Sequence, residues 1–235
     1  MNSDFGTRAR FFSREHFQRG NILTTTIVAT TVAVFLVQLY YLYVLHSDWF
    51  SDTFALSHQG LKAGHYWQLV TYAWLHSERL IIHILFNMLI VYSLGRALEW
   101  PLGPLRFLGL YFGAAVAAAI TWLVWGASDA GIEGASGAAF GLVAAYAVHD
   151  PRRVLRVWVM MVLPIQMTAR TLALVLVGFE ALCQLNGWFP SIGHTAHLGG
   201  AFFGWIYMRW LKRTPPPEIG AFSDYKSTPQ PPGTV

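Results

Sequence analysis

Long apolar runs separated by short polar stretches dominate the chain. Six of them approach the ~20 residues that a helix needs to cross a bilayer, and the first, ILTTTIVATTVAVFLVQLYYLYVL, is the cleanest. The fourth is short and rich in Gly and Ala, which suits a helix surrounded by other helices rather than by lipid. The pattern predicts an all-α integral membrane protein. Its spans one to six are expected at residues 22–45, 80–98, 106–126, 133–149, 170–187 and 194–211.

Composition agrees with this class, because 54% of the 235 residues are hydrophobic and only 12% are charged. We expect a basic cytoplasmic segment at residues 1–20, one six-helix domain at 21–212 and a disordered, Pro-rich cytoplasmic tail at 213–235. The single cysteine, Cys183, excludes an internal disulfide and argues against a Cys-rich metal site.

The positive charges set the expected orientation. With six spans, all 16 Lys and Arg except Lys62 and Arg79 fall on one side of the membrane. Cytoplasmic loops collect Lys and Arg, so both termini are predicted to face the cytoplasm. Topology thus accounts for the net charge of +4, and a nucleic-acid partner is not expected.

Four polar residues stand out inside the apolar runs. Spans two, four and six run in the same direction, and each carries such a group in the predicted outer half: His83 and Asn87, Ser136, and His197. Polar groups in a bilayer are costly, face the interior of a bundle and are candidates for function. Taken singly, each has a plainer interpretation as helix packing, a helix cap or interhelical hydrogen bonding.

Glycine pairs offer a means of bringing these groups together. Pairs spaced by four residues let another backbone approach closely, and packing span four on span six along them would place Ser136 beside His197. The histidine could then take the serine proton, while His83, Asn87 and backbone N–H groups could donate to an oxyanion. The glycine pairs are Gly137 with Gly141 and Gly200 with Gly204.

A metal site is the rival chemistry. His194 and His197 are only three residues apart, no HExxH motif occurs and no acid lies near them in sequence, so neither a metal nor another cofactor is predicted. Glu180 and Gln184 in span five are interpreted as structural contacts to each other or to a neighbouring helix, in preference to lining a route by which substrate enters.

Four sequence blocks together resemble the rhomboid intramembrane serine proteases. They are WQLVTYAWLH, HILFNMLIVYSLGRALEWPLGPLRFLGLY, GASGAAFGL and AHLGGAFFG, and the resemblance covers the chain from about Trp67 to Trp210. It implies a six-helix bundle in which a dyad of Ser136 and His197 is catalytic, with His83 and Asn87 at the oxyanion. The supporting residues are Gly134, Gly137, Phe140, Gly200 and Gly204.

The resemblance also implies partners and location. Its members cut single-pass membrane proteins near the outer ends of their helices, so transmembrane protein substrates, the lipid bilayer and a multi-pass position in a bacterial inner membrane are expected. The sequence departs from some members at Gln68, where they have arginine, and at Phe140, where they have tyrosine. We expect Gln68 to hydrogen-bond, Phe140 to stack on His197, and His76 to be an interfacial histidine bonded to water.

Two alternatives stay open alongside the protease. One is an inactive rhomboid-like protein that binds and escorts membrane proteins, although such relatives usually lack the nucleophile or the base. The other is a channel or proton-coupled transporter with a relay of His83, His194 and His197, which the lack of acidic partners in the outer halves of the helices that carry them disfavours. The sequence leaves the oligomeric state and the role of the tail open.

Overall fold

The computed structural model describes residues 21–78, 81–126, 131–159 and 163–214. The expected basic segment at 1–20, Arg79 and nearly all of the expected tail lie outside these residues. Nine helices, a 3₁₀ turn (Tyr72–Trp74) and two strands occur in the described chain. The helices are α1 (Ile22–Tyr43), α2 (Trp49–Phe54), α3 (His58–Lys62), α4 (Gln68–Thr71), α5 (Ile81–Leu102), α6 (Pro104–Trp125), α7 (Ser136–His149), α8 (Ala169–Asn186) and α9 (His194–Arg213).

A helix occurs at each of the six predicted spans, but not all six have the dimensions of a membrane span. In the described chain, α1, α5, α6 and α8 are long and apolar enough to cross a bilayer. Helix α7 has 14 residues, and α9 ends in charged side chains. Only 22–44% of an 18-residue apolar stretch in each of these four helices is buried inside the protein, so apolar surface faces outward as lipid contact requires. That α7 and α9 also cross the membrane, which would make six spans, therefore stays a prediction.

A two-stranded hairpin corrects the prediction of an all-α protein. Strand β1 (Val154–Val159) pairs antiparallel with β2 (Leu163–Thr168) in the connection between α7 and α8. The first strand, VLRVWV, is dominated by β-branched and aromatic residues, which fit a pleated surface better than a helix. The prediction weighed only the length of apolar runs, and a six-residue strand is too short for that signal.

Helices α7 and α9 are in backbone contact along the paired glycines. A Cβ added to Gly200 would lie 2.0 Å from the carbonyl oxygen of Gly137, and one on Gly204 would lie 2.0 Å from that of Gly141. Neither position can hold a side chain without moving a backbone. Small residues thus allow the close approach that the sequence predicts for spans four and six.

The connection between α1 and α5 folds around Gln68. This fully buried side chain donates from Nε2 to the carbonyl oxygens of Asp52 and Thr53, at 3.2 and 3.1 Å, and accepts from the backbone N–H of Ser57 at 3.1 Å. A neutral amide satisfies both donors and acceptors here, as a guanidinium with no acceptor could not. The expectation that Gln68 hydrogen-bonds is confirmed.

Candidate active site

Ser136 and His197 meet across the α7–α9 contact. Ser136 is the first residue of α7, and His197 lies in the first turn of α9. The serine Oγ is 2.8 Å from Nε2 of the histidine, a normal hydrogen-bond length. His197 is 8% exposed and Ser136 is partly exposed, so the pair is largely buried while the serine keeps some access to solvent.

Proton transfer from Ser136 to His197 requires one tautomer of the ring. For Nε2 to accept the serine hydroxyl proton, a neutral imidazole must carry its own proton on Nδ1. Phe140 stacks on the His197 ring with centroids 4.5 Å apart and planes 6° from parallel. The expected stacking is confirmed, and it limits rotation of the ring away from the serine.

Glu180 is the main site residue that the sequence reasoning missed. This buried carboxylate on α8 lies 2.5 Å from Nδ1 of His194 and 3.0 Å from Nδ1 of His197, both through Oε2. The second contact has the distance but not the direction of a full hydrogen bond. No acid lies near the histidines in sequence, but helix packing brings Glu180 to them across 14 and 17 positions of chain. An ionisable residue inside an apolar helix was the available signal.

The same three side chains are of types that bind metals. In the part of the chain that the structure describes, the ligand atoms of Glu180, His194 and His197 lie within 4.8 Å of one another. Ligand atoms around a tetrahedral zinc ion lie about 2.0–2.2 Å from the metal, and hence about 3.3 Å or more from each other. The observed N–O separations of 2.5 and 3.0 Å are those of groups in direct contact. Direct bonding accounts for the cluster, and the absence of a metal stays a prediction.

His83 lies against the loop that precedes the serine. A Cβ placed on Gly134 would be 3.0 Å from Cε1 of His83, 3.1 Å from its Nε2 and 3.7 Å from Oγ of Ser136. Gly134 has φ +130°, which an L side chain rarely adopts, so glycine is required for both space and conformation. The His83 ring and the Ser136 hydroxyl therefore both border the space beside Gly134.

Asn87 lies one turn further along the same face of α5. It is 5% exposed, and its Nδ2 donates to the carbonyl oxygen of His83 at 3.0 Å. In this arrangement the amide is engaged within its own helix. Of the two predicted oxyanion residues, His83 lies against the serine loop, whereas the Asn87 amide is bonded to the backbone of its own helix.

His76 packs against the loop that precedes Ser136, and its ring bonds to backbone groups of the protein rather than lying open to water as expected. The ring is fully buried, accepts from the backbone N–H of Ala135 at 3.3 Å and donates from Nδ1 to the carbonyl oxygen of Trp74 at 3.4 Å. Burial, with a smaller contribution from His83, lowers the pKa of His76 to about 3, so the ring stays neutral at ordinary pH. A neutral ring can keep accepting from the residue that precedes Ser136.

The carboxylates of Glu78 and Glu133 share one hydrogen-bond donor, the amide of Gln38. Nε2 of Gln38 donates to Glu78 at 2.8 Å and to Glu133 at 3.0 Å, and the two acids line a cavity of about 670 Å³. Burial and the charge of Glu78 raise the pKa of Glu133 to about 7. Glu133 is therefore protonated at acidic pH and charged at alkaline pH.

This pair predicts a pH dependence of stability. The unfolded chain ionises Glu133 near pH 4.5, so the stability it contributes is fully present below pH 4.5 and lost as the pH rises through 7. We expect the thermal unfolding midpoint in detergent to fall between about pH 5 and 8, and to fall less in the uncharged Glu133→Gln variant. Identical pH profiles for the two proteins would contradict this.

Comparison with known proteins bears on the arrangement. Residues 63–214 match the family model of the rhomboid domain. The chain is 27% identical over 216 residues to rhomboid protease AarA of Providencia stuartii, which covers 82% of this chain and 73% of that protein. It is 37% identical over 95 residues to putative rhomboid protease YdcA of Bacillus subtilis, covering 40% and 47%. It is 30% identical over 138 residues to the mitochondrial rhomboid protein 1 of Saccharomyces cerevisiae, covering 56% and 38%. The last two matches span less than half the length of those relatives.

Proposed function

The chain belongs to the rhomboid family, and we propose that it is an intramembrane serine endopeptidase that cleaves transmembrane segments of other proteins. The observation that carries the proposal is the 2.8 Å contact between Oγ of Ser136 and Nε2 of His197. A serine hydroxyl becomes a competent nucleophile when a neutral imidazole can take its proton. Here the two groups come from separate helices and meet where a substrate carbonyl could approach.

The proposed reaction has two halves. Ser136 attacks the scissile carbonyl while its proton passes to Nε2 of His197, and the imidazolium then gives that proton to the leaving amine. The resulting acyl-enzyme is hydrolysed by water that His197 activates in the same way. Each half passes through a tetrahedral intermediate whose oxygen carries negative charge, so donors are required near Ser136.

Donors for this oxygen are available from two sources. Ser136 begins α7, and the N–H groups of the first turn of a helix have no intrahelical acceptor. The His83 ring lies beside Gly134, and Asn87 follows on the same helix face. We propose that His83 and the free N–H groups bind the oxyanion and that the Asn87 amide turns from its own helix toward it.

Removing either side-chain donor should slow the chemical step. His83→Ala and Asn87→Ala are each expected to lower kcat by about 10²–10³-fold, because a preorganised donor is lost where charge develops. The substrate KM should change little, since the ground-state carbonyl is less charged than the transition state. Steady-state cleavage of a fluorogenic transmembrane peptide in detergent measures both constants. An unchanged kcat in both variants would remove these residues from the oxyanion site.

The position of the site suggests where substrates are cut. His83, Ser136 and His197 lie in the first turns of α5, α7 and α9, so the reacting groups share one end of the bundle. We propose that both termini face the cytoplasm, as the positive charges predict, which makes this end the outer one. We propose that the scissile bond lies near the outer end of a substrate helix, where backbone amides are not locked in a full helical hydrogen-bond ladder.

Reconstitution tests the function itself. Purified protein in liposomes with a single-span membrane protein tagged at both ends should yield two tagged fragments. Co-purification of the intact substrate without any fragment would favour the escort-protein alternative. Ion or proton flux through the same liposomes without cleavage would favour the transporter.

A further inference from the structure

A buried acid joins the two histidines at the N-terminal end of α9. Glu180 lies on α8, is 8% exposed, and directs one oxygen at Nδ1 of both His194 and His197. A buried carboxylate is costly unless donors surround it. The two imidazoles supply those donors, and one of them faces the nucleophile.

The proton positions follow from the partners of His194. Its Nε2 lies 2.9 Å from the carbonyl oxygen of Trp188, which can only accept, and its Nδ1 lies 2.5 Å from Glu180. A neutral imidazole has one N–H, whereas the cationic ring has two. Both nitrogens of His194 face oxygen atoms, and a doubly protonated ring beside the Glu180 carboxylate satisfies both contacts.

His197 completes the chain of contacts. Its Nε2 must be free of hydrogen to accept from Ser136, so the ring proton sits on Nδ1, the nitrogen that faces Glu180. We propose that Glu180 is a positioning residue for the proposed protease reaction: it holds His197 in the Nδ1–H form and stabilises its imidazolium after Ser136 has given up its proton. His194 in turn holds Glu180 in place, because its other nitrogen bonds to the carbonyl oxygen of Trp188 just after the end of α8.

Charge development explains why the contact is not yet a straight hydrogen bond. In the resting state the His197 ring is neutral, and its Nδ1–H is off the line to Oε2. When Oγ of Ser136 attacks, the proton moves to Nε2 and the ring becomes cationic beside a carboxylate 3.0 Å away. Catalytic hydrogen bonds of this kind are often poorly aligned before substrate binds and tighten in the transition state. Glu180 keeps no proton at any step.

The isosteric change Glu180→Gln separates this role from simple packing. A glutamine amide can donate to Nδ1 and so favour the His197 form with hydrogen on Nε2, which cannot accept from Ser136. We expect kcat to fall on the order of 10²-fold or more with KM nearly unchanged. Glu180→Asp, which restores the charge on a shorter side chain, should recover at least about tenfold of that loss.

Gln184→Ala is the matched control. Gln184 is one turn further along α8, is partly buried, and its side chain makes no hydrogen bond to any residue that the structure describes. Its removal should leave kcat unchanged. Equal losses in Glu180→Gln and Gln184→Ala would show that α8 tolerates no change there and would overturn the specific role of Glu180.

A second measurement does not need a stable variant. In wild-type protein labelled with ¹⁵N-histidine, His197 should show a protonated Nδ1 and an unprotonated Nε2, and His194 should show two protonated nitrogens. A His197 ring protonated on Nε2 would overturn the inference. Loss of activity with a chelator and its return with Zn²⁺ would do the same, because the three side chains would then hold a cation.

Reaction with a fluorophosphonate, which labels an activated serine, separates this inference from the proposed function. If wild type reacts with a fluorophosphonate at Ser136 and Glu180→Gln reacts equally fast, only the role of Glu180 fails. If wild type neither reacts nor cleaves, the protease proposal fails with it.

Discussion

Replacing Ser136 by alanine is expected to abolish cleavage of a transmembrane substrate. The methyl group cannot attack a carbonyl, and loss of a serine nucleophile costs about 10⁶-fold in kcat in well-studied serine proteases. His197→Ala should be as severe, because Oγ of Ser136 then has no base at 2.8 Å to take its proton. Fragment formation in the liposome assay is the measurement, with each variant compared at equal concentration to wild type.

The double variant gives a sharper control than either single change. Nucleophile and base act as one unit, so Ser136→Ala with His197→Ala should be no slower than either alone. Ser136→Ala should keep the thermal unfolding midpoint of wild type within a few degrees, because it removes one hydroxyl of a partly exposed residue. The two proteins without His197 should unfold at a lower temperature, because the buried Glu180 loses one of its two histidine neighbours. Wild-type fragment patterns from either single variant would refute the dyad.

The second large effect concerns a residue that performs no chemistry. Gly200→Ala adds one Cβ at 2.0 Å from the carbonyl oxygen of Gly137, so α9 must move away from α7. Overpacking of this kind costs about 1–3 kcal/mol of stability. The same movement carries His197 away from Ser136, and a displacement of about 1 Å can cost 10²-fold in rate. Activity should therefore fall further than stability alone explains.

Gly178→Ala is the matched change without a clash. A Cβ at this position of α8 meets nothing within 4 Å. Alanine is also a better helix former than glycine, so the variant should be as stable as wild type or slightly more stable. If both glycine variants keep wild-type kcat and unfolding midpoint, backbone contact between α7 and α9 does not position the dyad.

The pattern of apolar and small residues was enough to predict the central contact. Apolar runs located the helices, and glycines at four-residue spacing identified the faces that approach most closely. The shared depth of His83, Ser136 and His197 then followed from the direction of the helices. These features depend on spacing within single segments, which a sequence displays directly.

Other features depend on how helices rotate against each other, which spacing does not set. Glu180 reaches His197 because α8 turns that face toward α9, and His76 reaches Ala135 across 59 residues of chain. From sequence, Glu180 is predicted to be only a structural contact and His76 an interfacial histidine bonded to water. The hairpin of β1 and β2 was missed for a different reason, since six-residue strands are below the length at which an apolar run predicts a span.

A covalent probe tests the central claim, that His197 activates the Ser136 hydroxyl, most directly. Wild-type protein in liposomes should react with a fluorophosphonate to give an adduct that mass spectrometry locates on Ser136. The same treatment should leave Ser136→Ala unlabelled and His197→Ala nearly so, because the probe needs a serine whose proton has a base to accept it. An unlabelled wild-type protein, or a label that persists in Ser136→Ala, would contradict the account.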